Sequence, residues 1–321
     1  MKTLLKQIPL PICGLALGIL SLGNLLNAFN LTTIGTICGI IGLIIVAGVT
    51  GKVVFTFKHV LNDLNDPIIA SVAPTYTMAI MILSTFIKTW FGSIIATTRW
   101  TAAVILQFVI IGLFVYIHML KPSVQLDHVY PSWFVTFIGI GVIPVTATKF
   151  IPVIGMPVLI LALVLYAILL PIVIVRLLRR ELPFEATLPL LTIMAAPASL
   201  CLTGYLSMVT HPTFWFALVM VVLAQILYWG TLAKIVRYVR LSFYPSFAAF
   251  TFPLVISATA LNLFVSKFSF SASLTSFLHG AVILETVLAS AMVAFVLVKY
   301  TIFLTEKFAG SMKKETMKTS H

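Results

Sequence analysis

The chain has 321 residues, 61% of them hydrophobic and 9% charged, and a formal net charge of +12. Soluble domains are about 25% charged, so this composition excludes a soluble globular protein. The positive charge does not indicate nucleic-acid binding, because the basic residues cluster at the ends of apolar segments, as topology signals do. A membrane span needs about 20 residues, so ten spans with short loops predict one transmembrane domain over 1–321.

Ten apolar runs follow one another and predict an all-α membrane protein with ten transmembrane helices. The first run begins after Lys2 and Lys6 like a signal peptide, but no A-x-A-like cleavage site follows, so we take it as the first helix. A short basic tail is predicted at the C-terminus, from about 305 to 321. The runs cover residues 9–28, 32–57, 68–91, 96–119, 130–150, 152–178, 187–209, 212–239, 244–266 and 272–304.

The distribution of basic residues predicts the orientation. With both termini on one side, sixteen of the twenty Lys and Arg residues lie on that side. An odd number of helices would scramble this partition. The positive-inside rule therefore predicts cytoplasmic termini and a multi-pass protein of the cell (inner or plasma) membrane. The other side holds four basic residues, which either attract anions or snorkel at the interface: Lys88, Arg99, Lys149 and Lys267.

A proline repeats in the N-terminal half of every odd-numbered run. The repeat predicts five helical hairpins in a pseudo-fivefold ring, with odd helices lining a central pore and even helices outside. Each proline frees a backbone carbonyl, which membrane proteins tolerate where protein or water satisfies it. We expect helix kinks at these prolines and at the one that follows Phe252: Pro11, Pro74, Pro131, Pro197, Pro245 and Pro253.

The helical face that begins at each proline is predicted to line the pore. Positions i, i+3, i+4 and i+7 share one face of an α-helix. This face is uncharged, and weak binding is what fast conduction requires. Phe252 occupies the seventh position after the proline of the ninth run, so it either projects into the pore or packs between helices. The other predicted pore-lining residues are Gly14, Gly18, Thr77, Met81, Phe134, Ile138, Cys201, Gly204, Ala248 and Ala249.

Three short stretches resemble the tellurite-resistance/dicarboxylate transporter family, which includes the bacterial tellurite-resistance channel homologue and plant guard-cell slow anion channels. They are Val129-Tyr130-Pro131-Ser132-Trp133-Phe134, Ala196-Pro197-Ala198-Ser199 and Phe250-Thr251-Phe252-Pro253-Leu254. The resemblance spans the whole chain. It implies a homotrimer, one pore per protomer, small inorganic or organic anions as the conducted species, and a phenylalanine gate at Phe252.

The family also includes proton-linked malate carriers, so channel and carrier both remain open. Glu285 is the one carboxylate deep in an apolar run, and such residues are functional hypotheses by default. It lies on the tenth, outer helix, so it is either a packing residue or a proton-coupling site. The helices offer no nucleotide-binding motif and no His/Cys metal cluster. We therefore expect no enzymatic activity, no cofactor and no metal.

Overall fold

A computed structural model of the protein describes residues 2–121, 125–179, 182 and 184–319, without the side chains beyond 311. Within these residues, eight helices are long and apolar enough to cross a membrane, and two shorter apolar helices complete the set. The prediction of ten spans is confirmed, and apart from the C-terminal end of α10 their ends lie within a few residues of those expected. The spans are α1 Ile12–Ala28, α2 Thr32–Phe55, α3 Pro67–Phe91, α4 Ser93–Leu120, α5 Trp133–Ala147, α6 Pro152–Arg179, α7 Glu185–Met208, α8 Phe214–Tyr238, α9 Pro245–Lys267 and α10 Ala272–Thr319.

The C-terminal segment differs from the expectation. Helix α10 continues through the predicted tail as far as Thr319, and the final two residues lie outside the described part of the chain. The basic residues after 311 carry no described side chains. The predicted loops after α4 and α6 also contain residues outside the described chain, namely 122–124, 180, 181 and 183.

The odd helices form the inside of the molecule. Over the most apolar stretch of α3, α7 and α9, 67–83% of residues are buried, against 22–33% in the five even helices. Each odd helix packs against the next one, and α9 packs against α1, which closes a five-membered ring. The even helices pack outside this ring and expose many large apolar side chains, as a lipid-facing wall does.

The prolines of the odd helices lie mainly at helix starts, which corrects the expectation of kinks inside them. Pro11 directly precedes the first residue of α1, Pro131 lies two residues before α5, and Pro245 opens α9. Proline suits the first turn because the N–H that it lacks has no intrahelical partner there. Pro74 separates two helical parts, Pro67–Val72 and Thr75–Phe91.

The remaining odd helices change type along their length. Helix α7 is a 3₁₀-helix over Glu185–Ala195 and α-helical over Ala196–Met208. Helix α9 is 3₁₀ over Pro245–Phe250 and α-helical from Phe252. Pro197 and Pro253 occupy the first turns of these α-helical parts. Runs of 3₁₀-helix longer than three or four residues are uncommon, and here they coincide with the ring interior.

A buried ion pair fixes the ends of α1 and α2. Lys52 in α2 is fully buried, and its Nζ lies 2.7 Å from a carboxylate oxygen of Asp63. The same nitrogen donates to the backbone carbonyl of Ile8 at 2.7 Å. Asp63 ends a short helix, Phe57–Asp63, between α2 and α3. Lys52 thus joins three segments, rather than facing water as a topology signal would.

Candidate functional site

Two cavities lie along the axis of the five-helix ring. The N-end cavity is bordered by the N-terminal halves of the odd helices, and the C-end cavity mainly by their C-terminal halves. Every described residue that borders either cavity belongs to an odd helix or, in the case of Pro11, directly precedes one, and none is charged. Their volumes are about 80 Å³ and about 110 Å³. Because one water needs about 10–15 Å³ of such space, each cavity can hold several waters or a small anion.

Of the residues that the structure describes, Phe252 of α9 and Leu200 of α7 alone border both cavities. Phe252 is 7% exposed and Leu200 is 3% exposed. Their side chains therefore lie where one cavity ends and the next begins. Both groups are apolar, so the boundary offers an ion no hydrogen bond in place of its hydration shell.

The backbone break at Thr251 positions Phe252. Thr251 lies between the 3₁₀ and α-helical parts of α9, with φ −90° and ψ −73°. Its hydroxyl is within hydrogen-bond distance of two carbonyl oxygens, that of Gly14 at 3.1 Å and that of Ala248 at 2.8 Å. A Cβ atom on Gly18 would lie 2.6 Å from the Cβ of Thr251. Because Gly18 has no side chain, Thr251 packs directly against α1. This contact sets the depth of α9 in the ring and the position of Phe252.

An aromatic cluster supports the same part of α9 from outside the ring. Phe247 and Phe250 are fully buried, and their ring centroids are 4.9 Å apart. Phe243 lies 5.5 Å from Phe247, and Phe295 of α10 lies 6.4 Å from it. The 3₁₀ part of α9 is therefore packed on its outer face, while its inner face borders the N-end cavity.

The predicted lining residues divide into two groups. Five of them border the N-end cavity together with Pro11, Pro197, Pro253 and Phe252: Gly14, Phe134, Ile138, Ala248 and Ala249. The other five border neither cavity: Gly18, Thr77, Met81, Cys201 and Gly204. Pro74, Pro131 and Pro245 also lie outside both lining sets.

The second group packs against neighbouring helices. Gly18 receives Thr251, and a Cβ on Gly204 would lie 3.1 Å from Pro144. Thr77 is within hydrogen-bond distance of the Pro74 carbonyl and of the Gln107 side chain of α4. Met81 and Cys201 are fully buried in the apolar core. These positions lie in regular α-helix, as the prediction assumed, but packing in the ring turns them toward neighbouring helices instead of toward the cavities.

The sequence reasoning missed several residues of the cavity walls. Leu200 is the third residue after Pro197, so helical spacing placed it on the predicted face, but it was not singled out as a lining residue. Four polar residues of the C-end cavity were missed as well, although hydroxyl and amide side chains within membrane spans are a signal that could have found them: Ser21, Asn24, Thr259 and Asn262.

Glu285 lies away from both cavities. It is fully buried on α10, and neither carboxylate oxygen has a hydrogen-bond partner of standard geometry among the described residues. Gln225 of α8 and Ser257 of α9 lie close enough to interact with it. The carboxyl group therefore sits behind α9, between the inner ring and the outer wall.

The basic residues near the C-terminal ends of the odd helices do not border the C-end cavity. The Nζ of Lys88 donates to the backbone carbonyl of Lys149 and lies 5.5 Å from the ring centroid of Phe150. Arg99 and Lys267 are exposed. Any attraction of anions by these groups would act at a distance from the cavity wall.

Five buried helices, four of them broken or changing type, surround two uncharged cavities and define a membrane transport protein of helical-ring architecture. The chain belongs to the SLAC1 family, whose members are described as voltage-dependent anion channels, and the family model matches residues 7–301. This confirms the family resemblance seen in the three short stretches. The family consists of channels and transporters rather than enzymes.

Two proteins of Methanocaldococcus jannaschii, each named an uncharacterized transporter, are similar to this chain. Each is 27% identical over 238 residues, which is 66% of this chain and 69% or 68% of the relative. Their names indicate a role in transport but specify no substrate.

Proposed function

We propose that the protein is a channel that passes small monovalent anions through the centre of the five-helix ring, with Phe252 as its gate. The main support for this proposal is that two cavities lie on one axis and share a border formed by Phe252 and Leu200. A dry apolar constriction between two hydrated spaces blocks ions by dewetting. Moving the Phe252 ring aside would join the cavities without rearranging the ring of helices.

The preference for anions follows from helix ends rather than from charged side chains. The α-helical parts of α3, α7 and α9 begin at Thr75, Ala196 and Phe252, at or beside residues that border the N-end cavity. A helix N-terminus carries a partial positive charge, which attracts anions and repels cations. Because the bordering side chains are uncharged, this attraction stays weak enough for ions to leave.

The position of the protein in the cell is part of the proposal. Both termini are placed in the cytoplasm of a cell-membrane protein, so the N-end cavity faces the cytoplasm. A homotrimer with one pore per protomer is proposed from the family resemblance. Labelling of single cysteines from either side of intact cells tests the orientation, and the mass of the detergent-solubilised protein tests the trimer.

Ion replacement tests conduction and selectivity. The Phe252→Ala variant is recorded in planar bilayers under a potassium chloride gradient, and chloride is then replaced by nitrate or malate. An anion channel gives a reversal potential near the chloride equilibrium value, with nitrate carried and malate carried poorly. A reversal potential near the potassium value, or no current from folded protein, would refute the proposal.

A secondary carrier for C4-dicarboxylates or related organic anions, coupled to protons, is the alternative. The observation that favours it is Glu285, a fully buried carboxyl group on α10 with Gln225 and Ser257 close to it. Such groups in transporters bind and release protons. A carrier would give saturable, proton-driven malate uptake into liposomes that disappears in Glu285→Gln. A channel would show neither proton-driven uptake nor dependence on Glu285.

A further inference from the structure

Among the described residues, the four polar ones that border the C-end cavity lie on two of the five odd helices, beside apolar neighbours such as Leu25 and Ile256. Ser21 and Asn24 of α1 and Thr259 and Asn262 of α9 face it. The wall formed by α3, α5 and α7 is apolar, with Ile82, Val142, Val145 and Leu200. The polar groups therefore come from two adjacent helices of the ring, one of which carries Phe252.

Three of these polar side chains keep hydrogen-bond donors unused by the protein. The Ser21 side chain is 7% exposed, and its hydroxyl has no partner among the described residues. The amide nitrogen of Asn24 donates to the Thr85 hydroxyl at 3.0 Å, so one of its two hydrogens stays free. The described hydrogen bonds include none from the Asn262 side chain. Thr259 differs, because its hydroxyl donates to the carbonyl of Val255 at 2.8 Å.

The N-end cavity lacks such free donors within the described chain. Its hydroxyl-bearing residues are Thr75 and Ser246. Thr75 donates to the carbonyl of Val72 at 2.7 Å, and Ser246 donates to that of Ala186 at 2.6 Å. Unused donors are therefore a property of one cavity rather than of the pore as a whole.

Building on the proposed channel function, we propose that the C-end cavity is a dwell site for one small monovalent anion, a halide or nitrate. The hydroxyl of Ser21 and the amide groups of Asn24 and Asn262 replace part of the anion's hydration shell. A buried unpaired donor is costly until it finds an acceptor, and an anion supplies one. Without a cation in the wall, binding stays weak enough for release, and a doubly charged carboxylate is disfavoured.

The site predicts how conductance saturates. In the Phe252→Ala background, single-channel conductance is measured against the nitrate concentration, equal on both sides. Each of Ser21→Ala and Asn262→Leu raises the half-saturating concentration by about tenfold, because a hydrogen bond to a charged group is lost. Ser84→Ala is the matched control: this buried serine of α3 donates to the carbonyl of Ile80 and borders neither cavity.

The outcomes separate this proposal from the channel function. Anion current with unchanged half-saturation in both variants would overturn the dwell site and leave the channel standing. An absence of anion current in folded Phe252→Ala would overturn both. If the variants fail to fold, wild-type crystals grown in bromide decide the question. An anomalous peak beside the Ser21 hydroxyl supports the site, and its absence at saturating bromide overturns it.

Discussion

Replacement of Phe252 by alanine tests the proposed gate most directly. The substitution removes the ring from the border of the two cavities, so that spaces of about 80 and 110 Å³ join. Each 1.4 kcal/mol taken from a barrier raises the rate about tenfold, and each hydrogen bond that an ion gives up in a dry constriction costs about 1.5–3 kcal/mol. We therefore expect macroscopic anion current in oocytes or bilayers to rise by roughly 100-fold. Leu200 stays in place and limits the gain.

Stability provides the control for this experiment. Replacing a packed phenylalanine by alanine lowers the free energy of unfolding by about 3–5 kcal/mol. The expected loss for Phe252 is at the lower end of this range, because its side chain borders cavities on two sides. Phe264→Ala is the matched variant. This residue of the same helix is buried against Phe268 and Phe270, with ring centroids 5.2 and 5.6 Å away, and borders neither cavity. Current unchanged in folded Phe252→Ala, or raised equally in Phe264→Ala, would refute the reasoning.

Four further substitutions test the surrounding arguments. Leu200→Ala, added to the Phe252 change, should raise bilayer conductance beyond the single variant, and an unchanged conductance would remove Leu200 from the gate. Gly18→Ala should lower the free energy of unfolding by about 1–3 kcal/mol and produce a leak current, because its methyl group displaces Thr251. A variant of unchanged stability without leak current would contradict the proposed role of the contact between Gly18 and Thr251. Glu285→Gln should leave the current of the Phe252 variant unchanged, whereas a large loss would favour proton coupling. Asp63→Asn should cost about 3 kcal/mol in a detergent unfolding assay, because it leaves the charge of Lys52 buried without its partner; a change under 1 kcal/mol would show that the Ile8 carbonyl suffices.

The sequence predicted the membrane-spanning architecture well. Ten apolar runs became ten spans, because a bilayer core demands apolar stretches of a fixed length and this demand is local. The proline in each odd run correctly separated the inner helices from the outer ones. The fivefold repeat predicted a closed ring, and therefore that α9 packs against α1. The individual contacts between two helices so far apart in the chain cannot be predicted from a local pattern.

The candidate site was predicted in part. Phe252 borders both cavities, which is one of the two alternatives that its spacing from Pro245 left open, whereas Gly18 and Gly204 pack between helices. The prediction assumed 3.6 residues per turn from each proline. In α7 the 3₁₀ part before Pro197, which the prediction did not cover, presents Leu190 and Ile193 to the N-end cavity, at the spacing of three that a 3₁₀-helix imposes.

By itself, the sequence determined that this is a membrane protein of five hairpins, because hydropathy and proline spacing act within each helix. The tertiary structure decided which side chains meet at the axis. Three features depend on helices that are distant in the chain: the contact of Thr251 with Gly18, the pairing of Phe252 with Leu200, and the polar residues that α1 and α9 present to the C-end cavity. Their relative depth and rotation come from packing, which no single helix encodes.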